Sequence, residues 1–484
     1  MLFNSIDFAI FLPIVIILYW FVFNKDLKFQ NFLIVVSSYV FYGWWDWRFI
    51  CLIIFSTIID YSIGLKLKSE EKQAKRKALL WTSILLNLGF LGFFKYYNFF
   101  LDNFISAFSF FGAEIQANSL NIILPVGISF YTFQTLSYTI DVYKRKLEPT
   151  KDFVAFSAFV SFFPQLVAGP IERATNLLPQ FYNKRTFDYA KAVDGMRQIL
   201  WGLFKKIVIA DNCAMFANQI FNNSENMNGS ILIVGAVFFT FQIYGDFSGY
   251  SDIAIGTARL FGYNLTQNFA FPYFSRDFAE FWRKWHMSLT NWFRDYLFIP
   301  MVKLNKNRKT TWKIIIIFIQ FIIIGFWHGA NWTFILWGII HAMFFLPTIH
   351  KKEKQKNLGI IAKGRILPSL KDALNVGVTF SLLVLSMYFF RCEDLNHTLS
   401  CFSEIFSVSL FSIPQFDGMK KALLTIILTF IFFTVEWFGR ENKYAIEKLG
   451  LNWKRPARLS LYYIIIVAIF VFRGTTQNFI YFQF

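Results

Sequence analysis

The chain has 484 residues, of which 56% are hydrophobic and only 16% are charged. A water-soluble domain carries roughly 25% charged residues, so a soluble fold is excluded because it could not bury this much apolar surface. The formal net charge of +18 does not indicate a nucleic-acid partner, since the basic residues lie in short loops between apolar runs. The composition therefore predicts an all-α integral membrane protein embedded in the lipid bilayer.

Apolar runs long enough to cross a membrane recur along the whole chain, because a spanning helix needs about 20 residues. The predicted runs cover residues 6–23, 31–45, 49–65, 79–98, 120–140, 152–168, 197–219, 231–256, 313–327, 331–348, 373–390, 421–438 and 459–476. Several runs are short or broken, so we expect eleven to twelve transmembrane helices together with re-entrant and interfacial helices.

Charge bias at the ends of these runs predicts the orientation of the chain. Lys25 and Lys28 follow the first run and KLKSEEKQAKRK follows the third, which places both loops in the cytoplasm. Lys454 and Arg458 precede the last run, so the residues after that run are expected outside. Two external termini require an even number of crossings, which favours twelve over eleven.

The sequence gives no sign of a metal centre. It shows no Cys-x-x-Cys or Cys/His ligand spacing around its four cysteines, Cys51, Cys213, Cys392 and Cys401. We therefore expect neither a bound metal nor a disulfide framework. His350 and His397 lie in or near predicted loops and are assigned no role.

Polar side chains inside apolar runs mark candidate functional positions, because a polar group in lipid costs about a few kcal/mol. In LPVGISFYTFQTLSYTIDVYK, residues 124–144, the side chains of Gln134, Tyr138 and Asp141 are three or four positions apart and share one helix face. That face either holds helices together or lines a cavity, and the sequence leaves both alternatives open.

Two further segments combine polar residues with helix breakers. FFPQLVAGPIER, residues 162–173, contains two prolines and a glycine, which predict a re-entrant element or a sharp exit from the membrane. FQIYGDFSGYSDIAIG, residues 241–256, places Asp246 and Asp252 in an apolar segment. A proton path and a structural cap are both compatible with two such carboxylates, and we favour a polar network lining a channel.

The region from 278 to 342 holds three of the five histidines. FAEFWRKWHMSLTNWFRDYLFIP, residues 278–300, has aromatic side chains at helical spacing, which predicts an amphipathic interfacial helix containing His286. In GFWHGANW, His328 interrupts about thirty apolar residues, where glycines and Asn331 permit a broken helix. His341 is expected to be a packed polar residue, whereas His328 is a candidate for proton transfer because the unperturbed pKa of histidine is about 6.5.

Six segments, taken in order, resemble the bacterial branch of the membrane-bound O-acyltransferase (MBOAT) superfamily, whose members O-acetylate alginate or peptidoglycan or D-alanylate teichoic acids. These segments are YVFYGWWDWRF, ILPVGISFYTFQ, FFPQLVAGPIER, YGDFSGYSDIAIG, FWRKWHMSLTNWFRDYLFIP and GFWHGANWTFILWGIIHA. The resemblance extends over most of residues 1–345 and thins over the last hundred residues. It implies a bacterial inner-membrane protein and a helical funnel, in which the acyl donor arrives from the cytoplasm and the acceptor from outside.

The resemblance also implies an organisation of the chain in four parts. These are an MBOAT catalytic core over 1–348, a basic loop over 349–372, C-terminal helices and loops over 373–458, and a last transmembrane helix with an aromatic tail over 459–484.

The resemblance implies site residues as well. It makes His328, in the WHG motif, the expected catalytic residue and His286 its companion. Acyl transfer needs a base that takes the proton of the attacking hydroxyl, and a neutral histidine in a dry channel can do this. Polar side chains expected to line the channel, orient the base or bind an oxyanion are Gln134, Tyr138, Asp246 and Asn331. No bound cofactor is expected, and acetyl-CoA is the expected donor substrate.

The chain ends on NFIYFQF, residues 478–484, which is too short to cross a membrane. In proteins of this branch an aromatic C-terminal segment with a tyrosine is implied as an acyl carrier. Tyr481 is then the candidate first acceptor, and an external esterase-like partner of the SGNH type would pass the acyl group to the polymer. The alternative is an aromatic anchor at the membrane interface.

The expected function is O-acetylation of a cell-envelope polysaccharide, such as peptidoglycan or an alginate-like polymer. D-alanyl transfer to teichoic acid is the close alternative. A transporter or flippase is the alternative from another class, although the sequence lacks the internal repeats of many transporters. A protein-binding scaffold, with partner surfaces at 349–372 and 391–420, is a fourth hypothesis.

Overall fold

The computed structural model describes residues 1–112, 115, 117–305, 310–349, 359–475 and 477–482. The chain divides into two compact units, of which the first comprises Met1–Ala192 and Ala258–Leu265 and the second comprises Val193–Thr257 and Thr266–Phe484. Over the described part of the chain the regular structure is helical and contains no strand, which confirms the predicted all-α class.

The first unit contains nine helices over its described residues: α1 (Ile6–Ile17), α2 (Leu27–Asp46), α3 (Ile50–Ser69), α4 (Gln73–Leu91), α5 (Tyr97–Phe110), α6 (Ile128–Tyr143), α7 (Phe153–Ser161), α8 (Phe163–Leu166) and α9 (Ala174–Leu177). Side-chain caps set the starts of the first two: the Ser5 hydroxyl accepts a hydrogen bond ahead of α1, and the Asp26 carboxylate does so ahead of α2. Asp46 has an extended backbone (φ −158°, ψ 110°) and ends α2. A short 3₁₀ turn, Trp47–Phe49, then connects α2 to α3.

A buried carboxylate joins three helices of this unit. Asp60 on α3 accepts hydrogen bonds from Ser83 Oγ at 2.5 Å, from Asn87 Nδ2 at 2.9 Å and from Thr139 Oγ1 at 3.0 Å. Ser83 and Asn87 lie on α4, and Thr139 lies on α6. We call these four residues the Asp60 network. It satisfies polar groups at membrane depth by helix–helix hydrogen bonds.

The remaining helices lie wholly or mainly in the second unit: α10 (Tyr189–Leu203), α11 (Asp211–Phe221), α12 (Gly229–Leu260), α13 (Phe278–Lys284), α14 (Met287–Phe293), α15 (Ile299–Leu304), α16 (Thr310–His328), α17 (Trp332–Phe345), α18 (Leu370–Arg391), α19 (Leu395–Ile405), α20 (Met419–Gly439) and α21 (Arg455–Val471). Helices α10 and α12 approach closely at paired glycines. A Cβ on Gly202 would lie 2.6 Å from the Gly249 carbonyl oxygen, and a Cβ on Gly249 would lie 2.8 Å from the Gly202 carbonyl oxygen. The glycines of the 241–256 segment thus serve close helix packing.

Six helical segments among the described residues are long and apolar enough to cross a membrane: Leu27–Ser69, Gln73–Phe110, Gly229–Leu260, Thr310–His328, Leu370–Arg391 and Met419–Gly439. Three shorter apolar helical stretches add to them: Ile6–Val22, Phe153–Leu166 and Trp332–Thr348. These helices support a multi-pass membrane protein. The total of eleven to twelve spans stays a prediction.

The single interfacial helix predicted over 278–300 is wrong. Trp285 has an extended backbone and His286 a left-handed one (φ 41°, ψ 54°), which divides the segment into α13 and α14. Phe281, Trp282 and Trp285 are 2%, 3% and 5% exposed, so the aromatic face packs inside the protein and not at a lipid surface. Helical spacing of aromatic residues cannot distinguish these two environments, since both are apolar.

The other two irregular segments agree with the sequence. In GFWHGANW, α16 ends at His328 and α17 begins at Trp332, as the glycines predict. In FFPQLVAGPIER, the backbone leaves the helical form after Leu166, and almost the whole segment is buried. Burial by protein is what allows non-helical backbone at membrane depth.

Candidate active site

His286 is fixed between α13 and α14 by the side chain of Asn268. The His286 Nδ1 lies 3.0 Å from Asn268 Oδ1, and that oxygen also accepts from the backbone amide and the hydroxyl of Ser288 at 3.3 and 2.9 Å. The Asn268 backbone carbonyl accepts from the Met287 amide at 2.9 Å. Asn268 Nδ2 in turn donates to Ser251 Oγ on α12 at 3.1 Å. These bonds hold the left-handed backbone of His286, a conformation that costs energy for a residue with a side chain.

The same bonds determine which nitrogen of His286 carries the proton. A backbone amide can only donate a hydrogen bond. The Asn268 side-chain atom that accepts from the Ser288 backbone amide must therefore be the oxygen Oδ1 and not the nitrogen Nδ2. Nδ1 of His286 must therefore be the donor to this oxygen, and in the neutral ring Nε2 is the basic nitrogen. Burial lowers the pKa of His286 to about 3, which keeps the imidazole neutral.

His328 is the last residue of α16 and is 3% exposed. Helices α16 and α17 pack closely beside this break, since a Cβ on Gly325 would lie 2.1 Å from the Phe334 carbonyl oxygen. Its ring lies 5.4 Å from the ring of Trp337 and 5.1 Å from that of Phe390, measured between centroids. The imidazole is thus enclosed by aromatic side chains at the point where the helix ends.

Tyr481 lies against both histidines. Its ring centroid is 5.6 Å from that of His328 and 6.5 Å from that of His286. The ring also packs on Phe247 at 4.5 Å and on Trp327 at 6.2 Å. The Tyr481 hydroxyl oxygen is buried, and burial raises the pKa of this phenol well above 10. The phenol is therefore neutral at physiological pH, and its oxygen becomes a strong nucleophile only when a base takes the proton.

A buried ion-pair cluster fixes the backbone ahead of Tyr481. Lys206 pairs with Asp211 at 2.9 Å and with Asp246 at 2.8 Å. The free end of the chain is attached to this cluster twice, because Lys206 Nζ donates to the Gln477 carbonyl at 3.2 Å and the Ile480 amide donates to Asp246 Oδ2 at 2.7 Å. We call Lys206, Asp211 and Asp246 the tail clamp, and residues 477–481 the tail segment.

Apolar burial adds to the hold on the tail segment. Phe479 and Ile480 are both fully buried, and full burial of such a side chain stabilises by about 1.5–3 kcal/mol. The Phe479 ring lies 4.6 Å from that of Tyr250 and stacks on Tyr481 at 5.7 Å. An aromatic anchor would insert these side chains into lipid, whereas here they insert into the protein. Residues 483 and 484 of the predicted tail lie outside the described residues.

Of the four residues expected to line a channel, Asp246 belongs to the tail clamp and the others have structural contacts. Gln134 Nε2 donates to the Phe159 carbonyl at 2.5 Å within the first unit. Tyr138 is fully buried in the same unit, with its ring 4.6 Å from that of Phe156. In the second unit, Asn331 caps α17 through a bond from the Thr333 amide at 3.1 Å. Their roles in a channel stay predictions.

The remaining histidines fall into three cases. His341 is packed among aromatic rings, with Nε2 lying 3.1 Å from Ser386 Oγ, in agreement with the expected packed polar residue. His397 lies in a cluster with two cysteines. His350 lies outside the described residues.

Asn268 and Lys206 are functional candidates that the sequence motifs did not indicate. For Lys206 a signal existed, because WGLFKKIVIADNC, residues 201–213, places two lysines and an aspartate inside a predicted span. For Asn268 there was none, since a single asparagine in a loop carries no pattern. Its role follows only from the position of His286.

Comparison with known proteins places this site in a family context. Residues 145–350 match the sequence pattern of the family described as MBOAT, membrane-bound O-acyltransferase family. Over the full length of both proteins, the chain is 36% identical to the probable alginate O-acetylase AlgI of Pseudomonas putida. It is 29% identical to the peptidoglycan O-acetyltransferase of Helicobacter pylori, over all of this chain and 98% of the relative.

A third relative is similar over a shorter range. The teichoic acid D-alanyltransferase of Streptococcus thermophilus is 30% identical over 55% of this chain and 68% of its own length. The match therefore leaves out close to half of this chain.

Proposed function

Because the chain belongs to the membrane-bound O-acyltransferase family, we propose that it moves an acetyl group from cytoplasmic acetyl-CoA to Tyr481, and from there to a cell-envelope polysaccharide. That it is an O-acyltransferase follows from the family. The donor, the tyrosyl carrier and the acceptor polymer are parts of the proposal, as are an inner-membrane location and extracytoplasmic termini.

One observation carries the proposal: the Tyr481 ring contacts His328 and His286 together. Two hydrogen bonds and two buried side chains hold the tail segment in place, which is the positioning that an acyl acceptor needs. A membrane anchor has no need of a polar clamp. The names of the relatives that match over the full chain, an alginate O-acetylase and a peptidoglycan O-acetyltransferase, support acetyl as the transferred group.

The proposed step is a transesterification at the thioester carbonyl. His328 takes the Tyr481 hydroxyl proton as the phenol oxygen attacks the carbonyl carbon, and the tetrahedral intermediate collapses by breaking the carbon–sulfur bond. The departing thiolate of coenzyme A takes up the proton from His328. His286, with its proton held on Nδ1 by Asn268, presents the basic nitrogen Nε2 in the same aromatic enclosure, where it can act as a hydrogen-bond acceptor.

The second step would return Tyr481 to its starting form. A tyrosyl acetate is an activated ester, because its leaving group is a phenol with a pKa of about 10, far more acidic than a sugar hydroxyl. Passage from thioester to phenyl ester to sugar ester therefore runs toward the more stable ester. An SGNH-type partner with a serine nucleophile is the proposed catalyst of this last transfer, outside the membrane.

D-alanyl transfer to teichoic acid is the second candidate. The streptococcal D-alanyltransferase matches over 55% of this chain, whereas the O-acetylating relatives from Pseudomonas putida and Helicobacter pylori match over all of it. The same histidines and tyrosine would serve either acyl group. Transporter and scaffold hypotheses lose their support, since the chain belongs to a family of enzymes.

The test is mass spectrometry of the purified full-length protein after incubation with acetyl-CoA. We expect one acetyl group on the peptide containing Tyr481, and no such adduct in the His328→Ala variant. An alanyl adduct on protein isolated from cells would favour the alternative donor. Acetylation of the envelope that continues at the wild-type level in a Tyr481→Phe strain would overturn the carrier role and leave the family assignment intact.

A further inference from the structure

Three side chains that no part of the acyl-transfer site uses come together beside α19. Cys392, His397 and Cys401 each present one ligand atom, and these atoms all lie within 4.8 Å of one another. Both cysteines are buried, and His397 is partly exposed. Two thiols and an imidazole at this spacing are the kinds of side chain that bind transition-metal ions.

The local sequence explains the convergence. Asp394 caps α19 by accepting a hydrogen bond from the His397 amide at 2.7 Å. His397 and Cys401 are four residues apart on α19 and therefore share one helix face. Cys392 stands two residues before the cap, where the chain leaves α18, and its amide still bonds to the Tyr388 carbonyl at 2.9 Å. The cap thus turns Cys392 back over the first turns of α19.

The ligand atoms of the three side chains lie close together. The thiols of Cys392 and Cys401 contact each other, and the Cys401 thiol also contacts the hydroxyl of Ser224. The Ser224 Oγ lies 2.8 Å from His397 Nε2, so this hydroxyl borders the same centre. Around a tetrahedral zinc ion, with Zn–S of about 2.3 Å and Zn–N of about 2.0 Å, neighbouring ligand atoms are about 3.5–3.8 Å apart. The three ligand atoms lie within 4.8 Å of one another, so shifts of about 1 Å would bring them to that spacing.

We propose that Cys392, His397 and Cys401 bind a zinc ion, with the fourth position open to a water molecule next to Ser224. Two thiolates and one imidazole suit a borderline-soft ion and exclude Mg²⁺ and Ca²⁺, which require oxygen ligands. Binding displaces two protons from the thiols and involves no oxidation or reduction. Ligation through Nε2 gives up the 2.8 Å hydrogen bond between this nitrogen and Ser224 Oγ. Because the ring proton then lies on Nδ1, it also gives up the contact of His397 Nδ1 with the Glu393 amide, which at 3.4 Å is already long.

The site lies where three helical elements of the second unit meet, so a bound ion would link them. The ion would join the end of α18 to α19 and to the turn after α11, where Ser224 lies. Arg391 already joins the same elements by bonds to Asn218 and Asn222 at 3.1 and 2.9 Å. The segment that would be tied down includes Phe390, whose ring contacts His328.

The test is zinc binding by the full-length protein in detergent micelles, reduced, treated with chelator, reloaded with Zn²⁺ and separated from free metal. We expect about one zinc per chain by elemental analysis, and a thiolate-to-metal absorption band when Co²⁺ replaces Zn²⁺. Cys392→Ser, Cys401→Ser and His397→Gln should each lower the zinc affinity by more than about 100-fold, since they remove ligands, and Ser224→Ala by about 10-fold. Cys213→Ser is the matched control, because this buried thiol contacts Thr429 and not the cluster.

A second measurement uses the wild-type protein, so that a misfolded variant cannot decide the outcome. Zinc should protect Cys392 and Cys401 from alkylation, whereas the exposed Cys51 should react equally with and without zinc. Alkylation of the two cluster cysteines only after reduction would reveal a disulfide and overturn the proposal. Free, reactive thiols in the presence of Zn²⁺ would also overturn it, as would zinc retained equally by all three ligand variants.

Discussion

Asp60 in the first unit and Asp246 in the second are both buried carboxylates on apolar helices, but their hydrogen bonds go to different kinds of partner. Asp60 accepts from Ser83, Asn87 and Thr139, which are side chains of neighbouring helices. Asp246 pairs with Lys206 and accepts from the backbone amide of Ile480. The first carboxylate therefore holds helices together, and the second holds an irregular segment in place.

The difference indicates where buried charge serves a function. Neutral hydroxyl and amide donors satisfy Asp60, so the Asp60 network needs no buried cation. The tail clamp buries a lysine with two aspartates, and removal of one partner from a buried ion pair costs about 3–5 kcal/mol, since it leaves uncompensated charge. Such a cluster is an inefficient way to join helices that could pack through apolar side chains. The tail clamp instead fixes the position of the tail segment, so that the Tyr481 ring lies against His328 and His286.

The largest expected loss of acyl transfer follows from replacing His328, the histidine beside which the tail clamp holds Tyr481. His328→Ala removes the proposed base and should lower acyl transfer by about 10²–10⁴-fold. The measurement is transfer of radiolabelled acetyl to protein in isolated membranes. His341→Gln is the control, because His341 is also buried among aromatic rings but bonds to Ser386. Equal losses in both variants would point to a packing role for His328.

The next effect concerns the acceptor itself. Tyr481→Phe keeps the ring contacts with Phe247 and Trp327 but removes the nucleophilic oxygen, so the protein should fold normally and transfer no acetyl to the tail segment. Tyr250→Phe, at a buried tyrosine beside Phe479, should retain transfer. Peptide mass spectrometry distinguishes the two. An adduct that persists in Tyr481→Phe shows that another residue accepts the acyl group.

The adjacent lysines test the tail clamp directly. Lys206→Met removes the bond to the Gln477 carbonyl and leaves Asp211 and Asp246 without their cation. It should lower acyl transfer by about 10–100-fold, because small displacements of a reacting group cost this much. Hydrogen exchange at the Ile480 amide should become faster. Lys205→Met is the matched control: Lys205 is equally buried but pairs with Asp252 at 2.5 Å and contacts Ser248. Lys205→Met should destabilise the protein without making hydrogen exchange in the tail segment faster. Equal acceleration of that exchange in both lysine variants would contradict a specific role of Lys206 in the tail clamp.

The smallest expected effect on activity is in the Asp60 network. Asp60→Asn replaces one acceptor oxygen by a donor group, which leaves a buried hydrogen bond unmade and costs about 1–3 kcal/mol of stability. The melting temperature should fall while acyl transfer per folded molecule stays near the wild-type value. Thermal unfolding in detergent and the radiolabel assay together measure this. A loss of transfer as large as that of Lys206→Met would remove the distinction between the two networks.

Much of the architecture was predictable because the signals are local. Apolar runs predict helices, and the glycines of GFWHGANW predict the break that ends α16 at His328. The position of His286 was not predictable in the same way. Its spacing from Phe281 and Trp282 fits one continuous helix, and the break arises from Asn268, a residue in a loop eighteen positions earlier. The cysteine cluster is a different case, because Cys392, His397 and Cys401 all lie within residues 392–401. Their spacing is not Cys-x-x-Cys, and only the turn between α18 and α19 shows that Cys392 lies over His397.

The sequence by itself determined the membrane environment, the helical class, the motif histidines and an aromatic terminal segment with one tyrosine. These properties depend on composition and on spacing along single helices. Backbone polar groups in lipid must bond within their own segment, so an apolar segment forms a helix whatever the rest of the fold is. Only the tertiary structure decided that Lys206 and Asp246 hold the tail segment and that Tyr481 lies against His328 and His286. Those contacts join residues more than 150 positions apart, and their partners are selected by packing and by the cost of leaving a buried charge unpaired.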